Sequence, residues 1–246
     1  PGMWMALLDI KDAFYSKTQK LVKHFRKHFR FAIKTAQGIK VYEFMVTPQG
    51  WSTSPRAFHI MMKEVTKEAN NLGTKHCRAT DDVIIVEQNE RRCGRQLDQF
   101  NHILQKHGFE AKKEKEKRPA RQQVWCGTLM QTHPHVKFSV TKAKIKEMKR
   151  AARWTLTNNE LGRLTPRMVA GFVGKTRAAQ LSLECAMAHS FNLVQMQTKA
   201  LAANDQDWDA PFFLSTPAIK DLIFFKTRCD YPGRYMATNL IEVLLV

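Results

Sequence analysis

With 246 residues, 43% of them hydrophobic, the chain can bury one large core or two small ones, which excludes a disordered tail. Forty Lys and Arg against 22 Asp and Glu leave a net charge of +18, which favours a polyanionic partner and places nucleic acid ahead of a membrane. Five widely spaced cysteines, Cys77, Cys93, Cys126, Cys185 and Cys229, contain no CxxC pair to suggest zinc or a redox motif, so a reducing compartment fits best. No apolar run approaches the roughly 20 residues that span a bilayer, and no signal-peptide pattern opens the chain. The expectation is a soluble intracellular protein, in nucleus or cytoplasm, with no membrane partner. The opening Pro1 and the closing apolar run NLIEVLLV suggest a piece cut from a longer polyprotein.

In chain order, Met5 to Ile10 reads as a buried strand, apolar except for Asp9. The basic stretch KLVKHFRKHFR follows. Phe31 to Lys34 and Lys40 to Val46 alternate around Gln37 and Gly38, the pattern of a hairpin, with Phe31, Ile33, Val41 and Phe44 supplying apolar contacts. Ser54 before Pro55 predicts a helix start with Ser54 capping free amides. Phe58, Met61, Met62, Val65, Ala69 and Leu72 recur at helical spacing until Gly73 stops the helix. Lys75 to Thr80 and Val83 to Glu87 read as strands joined at the pair Asp81 and Asp82. Leu97, Phe100, Leu104 and His107 mark a second helix ending at Gly108. The charge run from Lys106 to Arg121 reads on composition as a solvated loop. From Thr141 onward the pattern is mainly helical, with Thr165-Pro166 and Thr216-Pro217 as further helix starts. The order is α+β, an antiparallel sheet with helices on one face, and the change near residue 130 is the candidate domain boundary.

The acidic positions carry the chemistry. Asp9, flanked by Leu7, Leu8 and Ile10, and the pair Asp81 and Asp82, followed by Val83 to Val86, are costly in apolar strands unless a cation neutralises them. Either site alone is more often a strand end or a hairpin turn. If the two strands lie side by side, Asp9 and Asp81 could hold two Mg²⁺ ions roughly 3.5 to 4 Å apart, the clamp of in-line phosphoryl transfer. Between them, VTPQGWSTSP places Gln49 and Gly50 before the helix. By itself PQG is an ordinary turn.

Taken in order, LDIKDAF, VTPQGWSTSP and TDDVIIV resemble the motifs of reverse transcriptases of retroelement and retrovirus type. HGFEAKKEKEK resembles the lysine-bearing motif that follows, and VWCG at Val124 to Gly127 resembles the primer-grip turn. The likeness covers roughly the first 130 residues and implies a polymerase palm with partial fingers over 1–130. Residues 131–246 look more weakly like a thumb and connection region leading toward a missing RNase H, closest in flavour to the tyrosine-recombinase group of retrotransposons.

The resemblance implies RNA-directed addition of deoxynucleoside triphosphates to a DNA primer, with an RNA template and an RNA–DNA duplex as partners. It implies two Mg²⁺ ions, with Mn²⁺ as an alternative, on Asp9, the Ile10 carbonyl, Asp81 and Asp82. Asp12, Ala13, Phe14 and Gln49 would meet the nucleotide, Phe14 as a gate against the 2′-hydroxyl. Outside the resemblance a core phenylalanine is an equal reading of Phe14. Lys115 aligns best with the lysine that protonates pyrophosphate, Lys113 being the alternative, and both read equally as surface charges. Trp125 and Gly127 would hold the primer end, although a Trp before a Gly is more often packing. Lys23, Arg26, Lys27 and Arg30 would face phosphate, or form a solvated basic helix face. His133 and His135 are too close together and too isolated for a metal site.

Two departures weigh against full activity. The family's Tyr two residues before the Asp pair is Ala79 here, and the few residues before Asp9 leave out the N-terminal fingers segment. Asp221, Asp230 and Glu242 are too scattered for an RNase H site. Two further readings follow: a relic that binds nucleic acid without synthesis, and a structural subunit that contributes a palm fold.

Overall fold

The computed structural model describes residues 2–16, 20–180, 182–183, 186–227 and 234–235. Cys185, Cys229, Asp230, Glu242 and the run NLIEVLLV lie outside them. The chain divides into two compact units, one built on Gly2–Gln123 and the other on the chain from Val124 onward. The division falls a few residues before the composition change near 130.

The first unit is organised by a four-stranded antiparallel sheet in the order β4-β5-β1-β6. Its strands are β1 (Trp4–Asp9), β4 (His76–Ala79), β5 (Asp82–Glu87) and β6 (Lys117–Ala120). Strands β1 and β5 are the central pair and are almost wholly buried, which is why both read as continuous apolar runs. Two helices, α2 (Ser54–Asn71) and α3 (Glu90–Lys106), cover one sheet face. Phe58, Met62, Val65 and Ala69 of α2 meet Leu97, Phe100, Ile103 and Leu104 of α3 over Ala6, Leu8, Val83 and Ile85. Each large side chain buried this way contributes about 1.5 to 3 kcal/mol.

Three local expectations change. Thr53, not Ser54, is the N-cap of α2 and makes no side-chain cap bond; Ser54 is already helical, and its hydroxyl donates to the Pro48 carbonyl at 2.7 Å. Leu72 is 54% exposed, because it follows the last helical residue and the left-handed Gly73 turns the chain away. The charge run is ordered. It contains a bridge from Ala111 to Ile10, a single 3₁₀ turn over Lys113–Lys115, and β6, which pairs with β1 as the sheet's outer strand. Its alternating charges suit an outer strand facing water, and composition alone does not separate that from a loop.

The hairpin forms as β2 (Arg30–Thr35) and β3 (Gly38–Glu43), preceded by the one-turn helix α1 (Lys23–Arg26). Phe31 stacks on Tyr42 and meets Phe44 at 5.4 Å, yet Phe31, Ile33 and Val41 remain exposed. The expected apolar contacts hold strand to strand and bury little.

In the second unit β8 (Thr128–Gln131) and β9 (Lys137–Val140) pair antiparallel, with β10 (Arg234–Tyr235) beside β9. Strand β7 (Gln122–Trp125) spans the division and completes the order β10-β9-β8-β7. Four helices follow: α4 (Lys142–Glu160), α5 (Pro166–Arg177), α6 (Phe191–Ala203) and α7 (Thr216–Thr227). Thr141 and Thr165 cap α4 and α5 through their hydroxyls. Met148, Phe172, Leu193, Leu222 and Phe225 form their shared core. None of the described helices is long and apolar enough to cross a membrane.

Candidate active site

Side chains along a strand alternate between faces, and directly facing residues of neighbouring antiparallel strands share a face. Ala6 and Leu8 of β1, with Val83 and Ile85 of β5, pack on the helices, so Asp9 and its register partner Asp82 project together from the opposite face. Asp9 is 6% exposed. The sequence paired Asp9 with Asp81 as metal ligands, with Asp82 beside them, and left the register open. The strand neighbour is Asp82, because the β4–β5 hairpin closes through Thr80 and Asp81 and already includes Asp82 in its ladder. Asp81 stays in the same corner, where its carbonyl accepts the Ile10 amide at 2.9 Å.

Lys115 completes the corner. Its Nζ donates to Asp9 Oδ2 at 2.7 Å from the 3₁₀ turn, whose start is pinned where the Lys112 amide donates to the Asp9 carbonyl at 2.8 Å. Lys113 points to a different place, a polar cavity of about 640 Å³ shared with Asn101, Gln105 and Glu116. The bonds Lys11 N–H to Glu110 and Lys112 N–H to Asp9 flank the Ile10–Ala111 bridge, which turns the Ile10 N–H and C=O toward β5.

Burial pushes the Asp82 carboxyl above the usual carboxylate range, and the charges of Asp81 and then Asp9 push it the same way. Lys115 is held above an ordinary lysine, first by its hydrogen bond to Asp9, then by the charge of Asp9, with Asp82 and Asp81 adding to it. Three carboxylates against one ammonium leave excess negative charge. Such hard oxygen donors suit Mg²⁺ or Mn²⁺, and a divalent cation would relieve the crowding felt at Asp82. Among the described residues no group of three or more His, Cys, Asp or Glu converges into a complete cage. Mg²⁺ is usually held by one or two carboxylates together with substrate phosphates, and the donor set fits that mode.

The LDIKDAF and PQG segments meet beside this corner. Asp12, at φ 47°, opens a turn in which the Tyr15 amide donates to its carbonyl at 2.7 Å. Ala13 is buried and Phe14 half-buried, its ring 5.6 Å from that of Phe58. The Thr47 hydroxyl donates to the Phe14 carbonyl at 3.0 Å, tying the loop that carries exposed Gln49 to the turn that carries Phe14. Asp12 is the outlier of the nucleotide set, since it lines a separate cavity of about 280 Å³ with Lys11, Tyr15 and Gly108 to Glu110.

The basic patch is less uniform than its sequence. The helix lasts one turn, and Phe25 and Phe29 meet Trp51 at 6.2 and 5.0 Å. Arg26 Nε donates to the Leu21 carbonyl and Arg30 pairs with Glu43 at 3.4 Å, while Lys23 and Lys27 are exposed. In the second unit Trp125 is half-buried with its Nε1 buried and lacking a partner. Gly127 has φ +74°, and a Cβ there would lie 2.8 Å from Lys144 Nζ.

Sequence reasoning missed Arg78, His59 and Thr47. Arg78 Nη1 donates to the Thr80 carbonyl at 2.6 Å, and Nη2 lies 3.0 Å from His59 Nδ1. An Arg three residues before the first Asp of the pair was the available signal, hidden because strand alternation makes any such residue look like a solvent-facing charge.

Comparison with known proteins gives a consistent family. The model for "Reverse transcriptase (RNA-dependent DNA polymerase)" matches residues 2–154. The Pol polyprotein of caprine arthritis encephalitis virus (strain Cork) is 25% identical over 217 residues, 84% of this chain and 18% of that protein. This chain therefore spans about a fifth of that relative's length. A foamy viral protease-reverse transcriptase in complex with an RNA/DNA hybrid superposes with a TM-score of 0.67 at 13% identity, covering 94% of this chain and 28% of the other. A second foamy viral structure, with double-stranded DNA, gives a TM-score of 0.63 at 12% identity, covering 94% and 36%. The α+β arrangement of antiparallel sheets and helices is that of a polymerase palm fold.

Proposed function

Because the chain belongs to the reverse transcriptase (RNA-dependent DNA polymerase) family, we propose that it extends a DNA primer on an RNA template with deoxynucleotides, using the Asp9, Asp81 and Asp82 corner. The observation that carries this reading is the register partnership of Asp9 with Asp82, with Lys115 hydrogen-bonded to Asp9.

In this reading Asp9, Asp81 and Asp82, with the Ile10 carbonyl, hold two divalent ions. Once bound, those ions supply the charge that activates the primer 3′-hydroxyl and stabilises the leaving pyrophosphate. The chain's own groups do the rest. The three carboxylates would hold the ions to which the triphosphate binds; the 3′-hydroxyl gives its proton to solvent water, and its oxygen bonds in line to the α-phosphorus as the bond to pyrophosphate breaks. Lys115, charged in the resting site, releases Asp9 and gives its Nζ proton to the departing pyrophosphate. Phe14, propped on Phe58, meets the sugar and rejects a 2′-hydroxyl, while Gln49 hydrogen-bonds the incoming nucleotide. Lys23 and Lys27 attract phosphate, and Trp125 with Gly127 grips the primer end.

Residues 1–130 would then form the palm with partial fingers and 131–246 a thumb and connection region, in an element of retrotransposon origin acting in nucleus or cytoplasm. Affiliation with the tyrosine-recombinase group rests on the sequence of the helical half alone. One residue favours a second reading, a relic that binds duplex without synthesis: Ala79 offers no ring to the nucleic acid. Primer extension on an RNA template separates the two. The polymerase reading expects synthesis that stops on chelation with EDTA, returns with Mg²⁺, and is lost in Asp9→Asn; salt-sensitive duplex binding with no extension under any divalent ion would reject it.

A further inference from the structure

Thr80 is β-branched and holds φ +58°, in the left-handed region that such residues avoid. Something must hold that turn, and Gly is absent from it. Arg78, on β4, folds its side chain forward so that Nη1 donates to the Thr80 carbonyl at 2.6 Å. The guanidinium is itself anchored on two sides, by His59 Nδ1 at 3.0 Å and by the Phe58 ring, whose centroid lies 5.6 Å from Cζ. Its Nε is buried without a partner, so the arginine keeps this pose at the cost of one donor. The peptide plane between Thr80 and Asp81 is thereby fixed at its oxygen. The next plane, between Asp81 and Asp82, is fixed where the Asp81 carbonyl accepts the Ile10 amide at 2.9 Å. Asp81 therefore hangs between two pinned planes, one tied to Arg78 and the other to β1.

We propose that Arg78 is a positioning residue for Asp81: clamped by His59 and Phe58, it locks the Thr80 turn and so sets where the Asp81 carboxylate stands relative to Asp9 and Asp82. Its consequence for turnover rests on the polymerase reading, whereas the lock itself does not.

The test is amide hydrogen exchange at Ile10 in the full chain, without metal, nucleotide or nucleic acid, joined to Mn²⁺ titration and to primer-extension kinetics. Arg78→Met keeps an unbranched stem over Phe58 and removes both donors. Losing a charge-assisted bond predicts exchange at Ile10 about 10-fold faster or more, and Mn²⁺ binding weaker by a similar factor. In extension kcat falls while KM for the duplex stays within about 2-fold, since the clamp touches no substrate. Arg78→Lys, which restores one donor, recovers part of each loss. If Arg78→Met does not fold, His59→Ala, at an exposed residue, takes its place and shifts exchange and Mn²⁺ affinity in the same direction by less. Unchanged exchange in folded Arg78→Met, or in both Arg78→Lys and His59→Ala, overturns the proposal. Faster exchange in a chain that never extends a primer keeps the clamp and removes the polymerase reading instead.

Discussion

Phe14 sits at the junction of two roles. Its ring leans on Phe58, itself fully buried, and its carbonyl receives the Thr47 hydroxyl, so the turn that carries it is braced from the core and from the PQG loop at once. A half-buried ring of this kind contributes about 1 to 2 kcal/mol to stability. The gate role predicts that Phe14→Val raises ribonucleotide incorporation relative to deoxynucleotide incorporation, measured as the ratio of kcat/KM values, while thermal stability drops modestly. An unchanged ratio with the same drop would leave Phe14 a packing residue. The acidic residues were legible from the sequence because burial of charge in an apolar run is conspicuous. Which aspartate faces Asp9 was not, since a hairpin that closes one residue earlier exchanges Asp81 for Asp82 without altering the pattern. Arg78 was invisible for a related reason: its meaning lies in a carbonyl two residues away and in His59 across the fold.

Among elements, those whose apolar spacing repeats over several turns were read correctly. Helices α2 and α3 and strands β1 and β5 share one core, and each face announces itself by period. Strand β6 was missed because pairing with β1, unlike burial, leaves no mark in composition. The same limit applies to Asp221 on α7. The sequence offers it as one of three scattered acids, yet the fold buries it, with Asn192 donating to it at 3.1 Å and the His189 ring nearby, Nδ1 lying 3.8 Å from its carboxylate. Burial pushes its carboxyl above the ordinary aspartate range, against the opposing pull of Asn192 and His189. The folded state then binds this proton more tightly than the unfolded state does. Its ionisation therefore costs stability as pH rises from the unfolded value through the folded one, and below both values the cost vanishes. Asp221→Asn removes that dependence. In urea unfolding between pH 3.5 and 7, its stability relative to the parent should rise with pH across the window above about 3.8; a constant difference would show that Asp221 does not titrate there.

On the scale of the whole molecule, a charge of +18 and an aromatic, exposed β2–β3 ribbon suit a surface that follows a nucleic-acid strand, and a basic surface by itself specifies no reaction. In the proposed reading, what turns binding into chemistry is the corner where β1, the β4–β5 turn and the Lys115 turn converge, assembled from positions 106 residues apart in the chain. Long-range sheet pairing of this sort is set by topology, which the order of motifs revealed only through likeness to a family. The measurement that tests the account most directly is primer extension on an RNA template with Mg²⁺, comparing the chain with Asp81→Asn and following duplex binding in parallel. The account predicts extension by the parent, a loss of orders of magnitude in the variant, and duplex affinity left nearly intact. Undiminished extension by Asp81→Asn would contradict it.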